Sequence, residues 1–443
     1  MKIQLSDHFT YGRLIRFVVP SIAMMLFTSV YGVVDGLFIS NFVGKTPFAA
    51  VNLIMPFAMI LGSFGFMLGT GGSALVAKTL GEGKRELANQ IFSLLVAAAL
   101  VLGTGLTVIS FFVMDDISRL LGAEGEMLSY CVTYGRILLF ALPAFLLQNV
   151  FQSLLIAAEK PQMGLIVTVL AGVTNMILDG LFIAIFQWGV VGAALATGIS
   201  QCIGGAIPFF YFLRNNDSLL RLTKPKFMGK QLWKACTNGI SELVSNVSMS
   251  LVSMLYNFQL MKIAGENGVA AYGVIMYVNF IFIAVYLGYA FGTAPIVSFH
   301  YGARNQAELQ NVLKKSLTLL FGTGIALFCI AFAAAGLLSQ IFVGYDRELY
   351  AMTMRGFRLY AFSFLLSGFN IYGSSFFTAL NNGVVSAAIS FLRTVAFEVA
   401  AILILPFFFG LDGIWCAVSV AEVASLSITA VCFFAMRKRY GYI

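Results

Sequence analysis

Apolar residues run along this chain in long blocks, broken by short polar or basic turns. A helix needs roughly 20 apolar residues to cross the hydrocarbon core of a bilayer. Twelve blocks meet that length, near 14–42, 48–78, 91–114, 128–158, 162–186, 189–213, 236–264, 268–300, 312–343, 350–380, 384–409 and 413–436. The pattern predicts an all-α integral membrane protein with twelve transmembrane helices. Little chain is left outside the bilayer, so no soluble catalytic domain is expected and the chain does not read as an enzyme. The first block is too long for the h-region of a cleavable signal, and no A-x-A-type site follows it.

The blocks are also written twice. Gly44 and Gly265, Gly71 and Gly292, Gly81 and Gly302, Gly135 and Gly356, Asn149 and Asn370, Gly189 and Gly410, and Gly192 and Gly413 each stand 221 positions apart. Glycine dominates these pairs because tight turns and close helix contacts demand it. Six spans per repeat is an even number, so both halves enter the membrane in the same sense. Parallel repeats of this kind relate by a pseudo-two-fold axis along the membrane normal, with a substrate path between them. The expected organisation is an N-lobe at 1–213 (helices 1–6), a basic cytoplasmic linker at 214–234 and a C-lobe at 235–443 (helices 7–12).

Composition agrees with this reading. Hydrophobic residues make up 60% and charged residues 10% of the 443, and the mean hydropathy is +0.91. The net charge of +8 is explained by topology. Lys2, Arg13, Arg16, Lys78, Lys84, Arg85, Lys160, the 214–234 segment, Arg304, Lys314, Lys315 and Arg437–Arg439 fall on one side. Lys45, Arg119, Lys262 and Arg347 fall on the other. By the positive-inside rule both termini are cytoplasmic, in a multi-pass protein of the plasma (inner) membrane. Charges scattered between spans give no nucleic-acid face. The six cysteines sit within or at the ends of spans as small packing residues, and His8 and His300 cannot make a metal site by themselves.

Two acids lie mid-span, Asp35 and Asp179, where a carboxylate costs roughly 2.5–3.5 kcal/mol and is a functional candidate by default. Asn175 is four residues before Asp179 and shares its helix face. Thr197 in helix 6 and Gln148, Asn149 and Gln152 in helix 4 could converge with them. Such a set offers oxygens to a proton or, with a full oxygen shell, to Na⁺. The chain has 43 Phe, 17 Tyr and 18 Met, suited to a pocket that repacks around greasy cations. Tyr31, Tyr256, Tyr272 and Tyr289 are the cavity candidates.

Pro20 with Asp35, Asn175-Met-Ile-Leu-Asp179 and Gly192-Ala-Ala-Leu-Ala-Thr197 resemble the multidrug and toxic-compound extrusion (MATE) family. So do Gly71-Gly-Ser-Ala…Gly81-Glu-Gly-Lys84 and its counterpart Pro295-Ile-Val…Tyr301-Gly-Ala-Arg-Asn305. The Asp35/Asp179 pair resembles the DinF-like branch. The resemblance implies a two-lobed antiporter that exports cationic or amphipathic small molecules against inward H⁺ or Na⁺, with no cofactor and as a monomer. Carried over, Asp35, Asn175, Asp179 and Thr197 form the coupling-ion site and Pro20 the bend of helix 1, where proline removes a helix hydrogen bond.

The chain departs from the NorM-like branch, whose acids stand mid-helix 7 and in helix 10. Helix 10 here carries Ser363, Ser367, Asn370 and Ser374 instead. Glu242, near the start of helix 7, reads as an inner-gate residue with Asn246 or as an interfacial acid. Glu398 falls at the repeat depth of position 177, and Arg393 and Glu422 are its expected partners, either as one neutralised acid and one facing the cavity or as a closed ion-pair network. Gly81-Glu-Gly-Lys84 fails the phosphate-loop pattern, so an ion gradient supplies the energy. The alternatives are a flippase for lipid-linked oligosaccharide, which would want a cationic cavity, and an intramembrane aspartyl protease, for which the G-x-G-D context is lacking.

Overall fold

The computed structural model describes residues 3–442, so Lys2 of the positive set lies outside it, as does the side chain of Lys45. Eleven of the twelve apolar blocks become membrane-length helices, and the block at 350–380 becomes two shorter ones. The first six are α1 (Tyr11–Phe42), α2 (Lys45–Gly81), α3 (Arg85–Phe112), α4 (Gly125–Ala157), α5 (Pro161–Ile185) and α6 (Gly189–Leu213). A seven-residue helix, Met114–Leu120, lies between α3 and α4.

The second half starts with a continuous helix, Gly229–Gly302, whose backbone breaks at Gly265 (φ 63°, ψ −151°) into α7 (229–264) and α8 (266–302). Only glycine adopts that conformation without strain. Its repeat partner Gly44 also has positive φ, as do Gly189 and Gly410, so the duplicated glycines mark equivalent turns in the two halves. Next come α9 (Gln306–Val343), α10, α11 (Gly383–Phe409) and α12 (Leu411–Tyr440). Helix α10 is interrupted between Arg347–Ala361 and Phe364–Ala379. The twelve spans form two six-helix lobes. Helix α7 begins at Gly229, inside the segment read from the sequence as linker.

The lobes meet tightly on the face that carries both termini. Gly71 of α2 and Gly239 of α7 abut so closely that a Cβ on either would strike the other's backbone. Gly81 lies against the Phe299 carbonyl, and its repeat partner Gly302 against that of Lys78. Asn238 Nδ2 donates to the Thr378 carbonyl (2.9 Å) and reaches across to that of Gly71 (3.4 Å). One apolar cluster draws Phe9, Val18 and Ile156 of the first lobe together with Ala290, Ile296 and Leu313 of the second.

Residues 5–9 strap this face. Leu5 N–H donates to Glu159 Oε1 in the α4–α5 turn (2.6 Å). Phe9 N–H donates to Glu308 Oε1 in α9 (2.8 Å), His8 Nδ1 lies 2.7 Å from Glu308 Oε2, and Lys315 Nζ donates to the Phe9 carbonyl (2.6 Å). The two lobes are therefore tied together on the terminus-bearing face.

Candidate functional site

Inside the first lobe the helices enclose a cavity of about 260 Å³. Tyr31 and Asp35 of α1, Met55 and Phe57 of α2, Phe145 of α4, Asn175 of α5, and Thr197 and Gln201 of α6 line it. Most of the wall is hydrocarbon and aromatic ring, with the polar groups gathered on one side. Asp35 is 7% exposed and Asp179, behind it, is fully buried. The two carboxyl groups interact directly as a pair.

Around the pair several buried acceptors gather with few donors. Among the described residues, no group other than the partner carboxyl bonds either oxygen of Asp179, and no donor reaches Asp35 Oδ1, Asn175 Oδ1 or Thr197 Oγ1. Tyr134 of α4 approaches Thr197 and both acids, but its hydroxyl makes no well-formed hydrogen bond. A buried acceptor without a partner costs about 1–3 kcal/mol. Two adjacent carboxylates cannot both stay charged in a dry site. The arrangement is built to hold a positive charge, whether a proton shared across the pair or a small cation among these oxygens.

Local geometry contributes. The α-helical part of α5 ends at Asp179, and a π-helical turn, Gly180–Ile185, follows. π-turns are frequent at functional sites because the extra residue re-aims the neighbouring side chains. Pro20 lies fifteen residues before Asp35, within a helix that continues through it.

The other polar candidates are placed differently. Gln148 packs against Gly204 of α6, and Asn149 Nδ2 donates to the Gly62 carbonyl of α2 (3.1 Å). Gln152 is buried, Gln148 Oε1 is buried without a hydrogen-bond partner, and none of the three lines the cavity. Glu242 faces a separate narrow cavity on the seam, with Thr70, Ser73, Ser153, Ser375 and Thr378. Asn246 Nδ2 donates to the Glu242 backbone carbonyl (2.8 Å).

In the second lobe Arg393 Nε and Nη2 grip Glu422 Oε1 (2.9 and 2.7 Å). Ser367 Oγ donates to the same oxygen (2.9 Å), and Asn370 Nδ2 to Oε2 (2.6 Å). Thr429 Oγ1 in turn donates to Asn370 Oδ1 (2.9 Å). Arg393 is thus hydrogen-bonded to Glu422, with Glu398 within its electrostatic reach. Glu398 is half-buried, directly after a second π-helical turn, Leu392–Phe397. It lies within electrostatic reach of Tyr256, Tyr272 and Tyr360, and the first two rings stack at 4.7 Å. Tyr289 Oη donates to Ser316 Oγ within the lobe core (2.8 Å). Among the described residues, no group of three or more His, Cys, Asp or Glu could hold a metal ion.

Tyr134, Ser200 and Gln201 were not singled out from the sequence.

Comparison with known proteins agrees with this architecture. A MatE family model matches residues 20–181 and again 243–403, once in each half. The multidrug export protein MepA of Staphylococcus haemolyticus (strain JCSC1435) is 24% identical over 433 residues, covering 97% of this chain and 94% of the relative. MepA of Staphylococcus aureus (strain MSSA476) is 24% identical over 437 residues, with the same coverage of each. A crystal structure of MATE in complex with MaL6 shares the fold at a TM-score of 0.92, with 24% identity over 98% of this chain and 97% of that one. An outward-facing multidrug resistance MATE family transporter of the MOP superfamily gives 0.91, with the same identity and coverage.

Proposed function

We propose a coupling mechanism for this chain, which belongs to the MatE family: it exports cationic or amphipathic small molecules against an inward flow of H⁺ or Na⁺. The observation that carries the reading is the donor-poor Asp35–Asp179 pair at the wall of an apolar, cargo-sized cavity. Asn175 and Thr197 complete the coupling-ion site. Tyr31 and the aromatic wall contact cargo. Because Asp35 both lines the cavity and touches Asp179, ion and cationic cargo compete for the same negative charge.

The cycle follows from that competition. With the terminus-bearing face cytoplasmic and sealed, the cleft faces outward. A proton or Na⁺ enters, neutralises the pair and releases the cargo. Pro20 lets α1 bend as the pair is neutralised, since no N–H at position 20 ties that turn together. The lobes, 1–213 and 235–443 about the 214–234 segment, then part on the cytoplasmic side, where the ion leaves and new cargo binds. An ion drives the switch only through unequal affinity for the two states. Glu242 and Asn246 belong to the inner gate, beside the seam glycines. Tyr256, Tyr272 and Glu398 form a second cation-attracting wall held by the Arg393–Glu422–Asn370 network, while Tyr289, Gln148, Asn149 and Gln152 support the lobes. The protein acts as a monomer of the DinF-like branch in the plasma membrane.

The test is cargo flux by the full chain in proteoliposomes with pH and Na⁺ gradients imposed separately. Export driven by either gradient, and lost in Asp35→Asn, supports the reading. Equal flux with and without gradients overturns it.

A further inference from the structure

A pocket of about 480 Å³ opens on the terminus-bearing face at the joint between the lobes. Its walls come from two turns that are repeat partners. The α2–α3 turn and the end of α2 supply Lys78, Glu82 and Lys84; the α8–α9 turn supplies Tyr301, Gly302 and Arg304. Three cations from two lobes therefore share one acid, Glu82, which pairs with Lys84 at 2.8 Å, so the lining keeps an excess of positive charge centred on Lys78 and Arg304. Lys78 Nζ lies 5.2 Å from the centre of the Tyr301 ring, on the pocket wall.

Two features go beyond a general excess of basic residues on this face. Lys84 is the N-cap of the 28-residue helix α3 and makes no side-chain capping bond, so the start of that helix borders the pocket. Helix starts of this kind attract anions. Arg304 holds a left-handed backbone (φ 54°) at the repeat position of Gly83 (φ 77°), a strained conformation for a residue with a side chain. Nearby Arg85 is already used, donating to the carbonyls of Leu219 and Ser218.

We propose that this pocket binds one phosphate-bearing anion through Lys78, Lys84 and Arg304, and that occupancy favours the state in which the lobes meet on this face. The pocket exists only while Gly81 and Gly302 hold the ends of α2 and α8 together at backbone contact. Parting the lobes carries Lys78 and Lys84 away from Arg304 and dismantles the site. An anion that binds one state alone shifts the equilibrium toward it, roughly tenfold at ten times its Kd. The chemistry suits an anionic phospholipid headgroup of the adjacent leaflet and free phosphate alike. The binding half stands independently; the conformational half rests on the alternating-access reading above.

Native mass spectrometry of the full chain in micelles tests the binding, with phosphatidylglycerol, phosphatidylcholine or inorganic phosphate as probe. The intact protein is expected to retain one phosphatidylglycerol at least tenfold more tightly than phosphatidylcholine, and Lys78→Gln/Lys84→Gln/Arg304→Gln to lose that preference. Displacement by inorganic phosphate in the millimolar range assigns the site to the free ion instead. Equal lipid retention by both proteins, with no phosphate binding, overturns the proposal.

The conformational half is read from maleimide labelling of Cys236, a half-buried thiol of α7 beside the seam. Phosphatidylglycerol should slow labelling about tenfold in the intact protein and leave the triple variant unchanged. Binding without this slowing keeps the site and overturns its link to closure. Export by the triple variant in pure phosphatidylcholine vesicles should equal that of the intact protein, which separates failure of this inference from failure of the export reading.

Discussion

Replacing Asp35 by Asn should stop export and, at the same time, make the protein more stable. Three oxygens of the carboxylate pair, Asp35 Oδ1 and both on Asp179, lack a donor from outside the pair, and Asp179 is wholly buried. An amide at position 35 keeps the size of the side chain and turns an N–H toward Asp179, satisfying one orphaned acceptor permanently. Each such acceptor costs about 1–3 kcal/mol while unpaired, so the variant should gain about that much. In a thermal scan followed by tryptophan fluorescence, the midpoint should rise by about 2–5 °C. Cargo flux in proteoliposomes should meanwhile fall to the protein-free background under both H⁺ and Na⁺ gradients. A midpoint lowered by a similar amount would show that Asp35 is a structural anchor. Wild-type export by the variant would refute the exchange mechanism itself.

Other substitutions probe the remaining parts. Pro20→Ala restores one helix hydrogen bond, about 0.5–1.5 kcal/mol, and should slow export roughly 2- to 10-fold without abolishing ion-dependent cargo release; an unchanged rate argues against bending at that turn. Gly239→Ala drives a methyl into the Met67 carbonyl across the seam. Overpacking of about 1–3 kcal/mol should shift the population away from the sealed state by about 5- to 150-fold, read as faster maleimide labelling of Cys236. Arg393→Met strands the Glu422 charge among Ser367 and Asn370 and should destabilise the fold by about 3–5 kcal/mol. Glu398→Gln should leave stability nearly unchanged while weakening cationic cargo. If Glu398→Gln destabilises as much as Arg393→Met, the second-lobe acids are one closed structural network.

How much of this was legible in the residues varies with the physics involved. The spans could be read because burial in lipid demands unbroken apolar length, and the duplication because turn glycines recur where backbone shape leaves no choice. Asp35 and Asp179 stood out because a charge in an apolar run has no cheap structural explanation. Gln148 and Asn149 looked equally suited to a site, yet they lie outside the cavity lining, Gln148 against α6 and Asn149 bonded to α2. Spacing along one helix says which residues share a face, not which neighbour that face meets. The choice of Glu422 over Glu398 by Arg393 was hidden for a related reason: the π-turn at Leu392–Phe397 rotates α11 away from regular helical register. The interruption of α10 near Phe362 carries no proline or glycine to announce it.

The segment around Leu5–Phe9 has a consequence for every turnover. It clips onto Glu159 at one end and onto Glu308 and Lys315 at the other, so it works as a buckle between moving bodies. In the proposed cycle a buckle on this face must unfasten each time the lobes part there, and its grip helps set how long the pump dwells in the sealed state. Trimming or loading the first few amino acids would therefore retune transport speed while leaving the pocket for cargo untouched.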